Sequence, residues 1–194
     1  MPEALGSLRQ EHRNMSTLLR ALEWQVDEFE RGHQPDFDVI GATLDYFLSF
    51  PDACHHPREE LIFAKLHERD LAAAQQIGDL RIKHQELARR AREFASALRV
   101  VLAEAELPRE AFAGWARGFI DLQRRHIDME ESTFFPAAEK TLTAQDWADL
   151  GAQAATEGDL LHEEQAGERF QRFEQLRKTI LDWQTQDQAA PAKH

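Results

Sequence analysis

The stretch Asp52–Phe63, DACHHPREELIF, carries one pattern twice in overlapping register. His55 has Glu59 four residues on, and His56 has Glu60 at the same spacing. Residues four apart on a helix project from one face about a turn apart, so either pair presents an imidazole and a carboxylate together. The apolar residues around the stretch decide which pair turns inward. Upstream, Leu44, Leu48 and Pro51 run in steps of three and four, and the same stripe continues through His55, Glu59, Ile62 and Leu66. That is the seam of a helix facing a core. Starting from His56 gives Glu60, Phe63 and His67, a poorer apolar continuation. His55 and Glu59 are therefore the favoured inward pair. His56 and Glu60 are supporting residues or alternative ligands, because a kink at Pro57 can shift the phase.

The rest of the chain reads as helical. Leu8, His12, Met15, Leu19, Leu22, Val26 and Phe29 form a first seam, with Ser7 and Gln10 as a capping box and Gly32 as a stop. A second helix is expected from about Asp36 to Glu68, bent but continuous at Pro51 and Pro57, with a break into two pieces as the alternative. Ile77, Leu80, His84, Leu87, Ala91, Phe94, Leu98 and Val101 form a third seam. Phe112, Trp115, Phe119, Leu122, His126, Met129 and Thr133 form a fourth, started by Pro108 and ended or bent by Pro136. Thr143 with Asp146 caps a short fifth helix, and Phe170, Phe173, Leu176, Ile180 and Trp183 mark a last amphipathic stretch. The expected fold is all-α: an up-and-down antiparallel four-helix bundle over residues 1–140, a C-terminal helical extension packed on it over 141–186, and a disordered tail over 187–194.

Three of these seams hold one imidazole each, at His12, His84 and His126, where a bundle wants an apolar residue. A lone seam histidine is ordinarily a hydrogen-bonded core residue. Three of them, together with His55 and the inward carboxylates Glu59 and Glu130, need strong mutual compensation. Glu130 follows His126 by four residues, as Glu59 follows His55. Two glutamates from opposite helices can bridge two metals roughly 3.5–4 Å apart. Imidazole and carboxylate donors suit iron, manganese or zinc, and the lack of thiolate pairs disfavours an iron–sulfur cluster.

The arrangement resembles the hemerythrin-like (HHE cation-binding) family. The resembling residues are Glu11–His12, the run YFLSFPDACHHPREELIF from Tyr46, Lys83–His84, and RRHIDMEESTFFPAAE from Arg124. The match covers about residues 5–140. It implies a four-helix bundle around a carboxylate- and oxo- or hydroxo-bridged centre of two iron ions, with His12, His55, Glu59, His84, His126 and Glu130 as ligands. The chain departs from the oxygen-carrying hemerythrins at two places. Leu80 stands where they have a second histidine one turn before the helix-three ligand, and Glu130 lies four residues after His126 where they have an aspartate at five. One iron is thereby expected to lose a protein ligand, which counts against plain reversible oxygen carriage.

The expected role is a non-haem di-iron protein that binds O2, peroxide or nitric oxide for sensing, scavenging or iron handling. A di-iron enzyme that reduces peroxide or O2, or that donates iron to damaged iron centres, is the alternative. A third is an interaction bundle with a zinc or vestigial site. Lys+Arg 23 against Asp+Glu 35 gives a net charge of −12, which argues against nucleic acid and anionic membranes as partners. One cysteine, Cys54, excludes an internal disulfide framework and fits a reducing, cytoplasmic setting, and no membrane span or secretory signal is visible. Cys54 itself reads as an inert thiol rather than a reactive one. Neither a Gly-rich nucleotide loop nor a serine-hydrolase elbow is present.

Overall fold

A computed structural model describes residues 2–103, 108–159 and Leu176. Among these residues every regular element is helical and no strand occurs. Helix α1 spans Glu3–Glu30. It begins upstream of the expected cap, so Ser7 lies inside it and donates to Glu11. The reason is burial: Leu5 and Leu8 are both fully enclosed and extend the apolar seam towards the N-terminus. The helix stops where Gly32 adopts φ +89°, a left-handed backbone that glycine takes without strain.

Helix α2, Phe37–Phe47, starts on Asp36, whose carboxylate accepts from the amides of Asp38 and Val39. The chain then passes through a π-helical turn, Pro51–His55, into α3, His56–Arg69. The expected single bent helix is therefore two α-helical pieces. Pro51 and Pro57 each lack an N–H and crowd the carbonyl four residues back, so the α-helical ladder cannot run through them. A π turn resolves the conflict at Pro57 by bonding His56 N–H to Pro51 O instead. The fourth seam repeats the device. Helix α6, Arg109–Met129, leads into a π turn, Glu130–Phe134, and then α7, Phe135–Thr141, with Pro136 just beyond the turn.

Between these lie α4, Leu71–Ile77, and α5, Leu80–Leu102. Ile77, read from the sequence as part of the third seam, ends α4, because Gly78 at φ +77° and the N-cap Asp79 start a new helix. Helix α8, Ala144–Asp159, opens with Thr143 and Asp146 in a reciprocal cap: Thr143 Oγ1 donates to Asp146 Oδ2 at 2.7 Å, and Asp146 N donates to Thr143 Oγ1.

Helix α1 packs against α2 and α6, and α5 packs against the same two, which closes a ring of neighbours; α8 lies on α3. Two apolar clusters fill the interior. One is built from Met15, Leu19, Leu22, Ile40, Phe94, Phe112 and Phe119 among others, the second from Leu5, Leu8, Ile62, Leu66, Leu80, Phe134 and Phe135. Leu176 is buried in the first cluster. Phe170, Phe173, Ile180, Trp183 and the tail 187–194 lie outside the described residues. Among the described residues no helix is long and apolar enough to cross a membrane.

Candidate metal centre

A layer of polar side chains separates the two apolar clusters. On α1, His12 falls between Leu8 of one cluster and Met15 of the other. On α5, His84 falls between Leu80 and Ala91, and on the fourth seam His126 and Glu130 fall between Ile120 and Phe134. His55 and Glu59 occupy the same level ahead of Ile62. All six are buried, and the Glu59 and Glu130 carboxylates have 0% exposure. Two fully enclosed carboxylates are tolerated only where positive charge meets them.

The distances show how that charge is arranged. Glu59 Oε1 is 3.1 Å from His55 Nε2 and 3.5 Å from His12 Nε2, while its Oε2 is 3.4 Å from His84 Nε2. Glu130 Oε2 is 3.3 Å from His12 Nε2, and its Oε1 is 3.0 Å from His126 Nε2 and 3.7 Å from His84 Nε2. Each carboxylate thus offers one oxygen to His12 and the other to His84. His12 and His55 point Nε2 at Nε2, 3.1 Å apart.

The far nitrogens are held from outside. His12 Nδ1 donates to Glu131 at 2.8 Å, His55 Nδ1 to Glu11 at 2.7 Å and His84 Nδ1 to Glu60 at 3.2 Å. Arg58 Nη2 in turn donates to Glu11 at 2.7 Å, and Arg9 Nε to Glu131 at 3.2 Å. A carboxylate on Nδ1 fixes the tautomer with its lone pair on Nε2 and raises the basicity of that nitrogen. His56 is held in the same way, by Asp52 at 3.0 Å. Its ring lies parallel to that of His84, with centroids 3.8 Å apart.

The protonation equilibria follow from this geometry. Burial would push His12 down, but the negative charges of Glu130 and Glu59 close by outweigh it and hold it at about 10. His84 is raised against its burial by the same two carboxylates, to about 9. His55, fully buried, is raised by Glu59 and Glu11. Burial and the nearby Glu59 charge would raise Glu130, yet His126 and His12 hold it at about 2. Glu59 lies well below the carboxylate range, because His55, His12 and His84 overcome its burial. His56 differs: burial pushes it down to about 4, and the Asp52 hydrogen bond opposes this only in part.

The chemistry of this donor set fits a metal. Both oxygens of Glu59, both oxygens of Glu130, and Nε2 of His84 and His126 are buried without a hydrogen-bond partner. Six orphaned polar atoms in one enclosed layer are far from what a settled polar core leaves. Two donors about 2.1 Å from one metal and at right angles lie about 3 Å apart, close to the spacings of His12, His55 and Glu59. The ligand atoms fall into two groups, His12–His55–Glu59–Glu130 and His56–Glu59–His84–His126, each with its atoms within 4.8 Å of one another. The model of the hemerythrin HHE cation-binding domain matches residues 4–138. The chain belongs to that family. No curated protein and no solved structure matches it.

The chain thus belongs to a cation-binding family and carries two buried His/Glu groups that could hold a metal. The structure brings His12, His55, Glu59, His84, His126 and Glu130 into one layer. It places Glu60 behind His84, and it brings His56 inside as well. The sequence pattern assigns no role to Glu131 or Asp52, and it marks Glu11 only as the neighbour of His12. Asp52 stands four residues before His56, a spacing that was available; Glu11 and Glu131 act across helices, which local spacing does not reveal. Away from the layer, His33 and His67 are exposed and Cys54 is half-buried.

Because His12 and His84 bind protons where a cation would sit, metal uptake must displace them. Apparent affinity is therefore expected to rise from neutrality towards pH 9, the value to which His84 is raised. Calorimetry in buffers of differing ionisation enthalpy should record the released protons. A pH-independent affinity would mean that these imidazoles are already neutral.

Proposed function

We propose that the ring of α1, α2–α3, α5 and α6–α7 is an up-and-down antiparallel four-helix bundle over residues 1–140, with the chain beyond 141 packed on it. Within it, two iron ions are held by His12, His55, Glu59, His84, His126 and Glu130. The centre binds O2, peroxide or nitric oxide in the cytoplasm, for sensing, scavenging or iron handling. The observation that carries this reading is the split of each carboxylate, one oxygen towards His12 and one towards His84. A carboxylate so placed is a natural bridge between two metals.

Iron, when bound, supplies a redox couple and open coordination positions. The chain's own residues fix the imidazoles through Glu11, Glu60 and Glu131 and control access. A cleft of about 370 Å³ reaches His56 and His84 between Asp52, Glu60, Arg81 and Arg92. Its charged lining would bring water and protons up to the buried His56 and His84 rings. A reversible oxygen carrier depends on keeping both out, since a closed site is what prevents proton leakage and side reactions.

The test is anaerobic loading with ferrous iron, metal quantitation, and optical titration with O2 followed by evacuation. Two irons per chain and lasting conversion to the diferric state are expected, with azide or nitric oxide changing the spectrum. One iron, none, or zinc in its place would count for the interaction-bundle reading. Full, repeated return to the diferrous state on evacuation would restore oxygen carriage. The same open cleft favours a second reading, reduction of peroxide with turnover; steady consumption of peroxide with an electron donor would distinguish an enzyme from a sensor.

A further inference from the structure

Two clefts adjoin beside α3 and α5. The polar one, of about 370 Å³, ends on the buried rings of His56 and His84. The second, of about 750 Å³, opens between α3, α4 and the start of α5 over Phe63, Ala64, Ala74 and Leu80. Both lie within the roughly 300–1,000 Å³ of small-molecule sites. Glu60 and Arg81 line both clefts. The wall between them is therefore one ion pair, Arg81 Nε to Glu60 at 3.5 Å, with the arginine side chain 74% exposed. Such a pair is weak and can part. The two clefts then form one groove, with a polar end against His84 and an apolar arm leading away from it.

The charges along this groove are already matched. Arg81 faces Glu60, and Arg92 lies close enough to Asp52 for its charge to act there. Asp52 and Glu60 also accept from Nδ1 of His56 and His84. On the rim of the apolar arm, Glu68 is held by Lys65 at 2.7 Å, and Asp79 caps α5. No group of unmatched arginines is left for a phosphate or a carboxylate, and the chain's net charge of −12 disfavours both. A neutral head that donates and accepts hydrogen bonds suits the polar end, and an apolar substituent suits the arm.

His84 connects this groove to the donor layer. Its Nδ1 is on Glu60 in the groove wall, and its Nε2 faces Glu59 at 3.4 Å and Glu130 at 3.7 Å. A molecule cannot pass that ring without displacing it, but electrons can cross a wall one ring thick. We propose that the groove binds a substituted hydroquinone, its head against His84 and its apolar substituent over Phe63 and Leu80, as the electron donor to the centre. This rests on the two-iron reading above and names the reductant that a peroxide- or O2-consuming centre needs. The hydroquinone gives up two electrons and two protons and becomes the quinone. The electrons pass through His84 and return two ferric ions to the ferrous state. The protons leave with the water of the polar cleft.

Binding is measured first, by anaerobic equilibrium dialysis of metal-free protein against hydroquinones bearing methyl to hexyl substituents. Each methylene that the arm buries should tighten binding by up to about fourfold. Ala64→Trp fills the arm from an exposed position on α3 and should erase the dependence on substituent length. Ala72→Trp, exposed on α4 and outside the groove lining, should keep it. In stopped flow, the same series should reduce the iron-loaded diferric protein with saturation, and the half-saturating concentration should follow the binding series except in Ala64→Trp. Dithionite, which needs no groove, should reduce all three proteins alike. Affinity indifferent to substituent length, or a dependence that survives in Ala64→Trp, would overturn the proposal and leave the iron pair standing. Binding as expected with the ferric ions left oxidised would do the same. A wild-type chain that takes up no iron pair would overturn both.

Discussion

Replacing Glu59 by alanine is expected to abolish tight binding at both metal positions at once. No other change of one residue on α3 should do so. Its two oxygens face different imidazole groups, Oε1 towards His55 and His12 and Oε2 towards His84. Loss of an outer partner costs metal sites about 10–100-fold, and removal of a shared ligand should exceed that at each metal. Glu60→Ala is the matched control, because Glu60 reaches the centre only through His84 Nδ1. It should retain two metals with a modest loss confined to one of them. Elemental analysis after gel filtration, with competition against a chelator, separates the two. A Glu59→Ala protein that still holds two metals tightly would show that Glu59 is not the bridge. Circular dichroism guards against a trivial cause. Deleting the carboxylate also removes a buried charge that His12, His55 and His84 balance in the metal-free state, so the variant needs a check that its helices are intact.

The parts of this centre that local periodicity could reach were those carried on one helix. His12 and His84 stood out because each occupies an apolar seam, and His126–Glu130 because its spacing matches the helical repeat. The π turns were beyond that reach. They arise from bonds five residues long, and the only trace in the sequence is a proline shortly after each, Pro57 and Pro136. His56 lies inside because the π turn supplies the change of phase that a kink at Pro57 allows, so that the inward face at Glu59 takes in both preceding histidines. The interhelical carboxylates were likewise hidden. Glu11 orients His55 across 44 residues and Glu131 orients His12 across 119. The break at Gly78, by contrast, was visible as a glycine but outweighed by the apolar step from Ile77 to Leu80.

Removing the metals should lower the melting temperature without unfolding the chain, and the gap should widen with pH. A ligand present at about 1,000 times its dissociation constant stabilises the native state by about 4 kcal/mol. For a chain of this size each kcal/mol moves the melting temperature by about 2–4 °C, so about 8–16 °C is expected for each occupied site. The metal-free protein keeps its fold because protonated His12 and His84 stand in for the cations against Glu59 and Glu130. Both imidazoles are raised above the ordinary value of 6.5, to about 10 and about 9. Their stabilising contribution is complete below about pH 6.5 and is lost as pH climbs through those raised values. Beyond that point the two enclosed carboxylates lose the positive charge of His12 and His84. In the metal-loaded protein the same nitrogens carry no proton to lose, so no such decline is expected. Thermal melts of chelator-treated and zinc-loaded protein, zinc being redox-silent, can be compared at pH 6.5 and pH 9. Parallel shifts of the two forms would show that the imidazoles do not neutralise the buried carboxylates, and an unchanged melting temperature on chelation would remove the buried donor layer from the metal's account altogether.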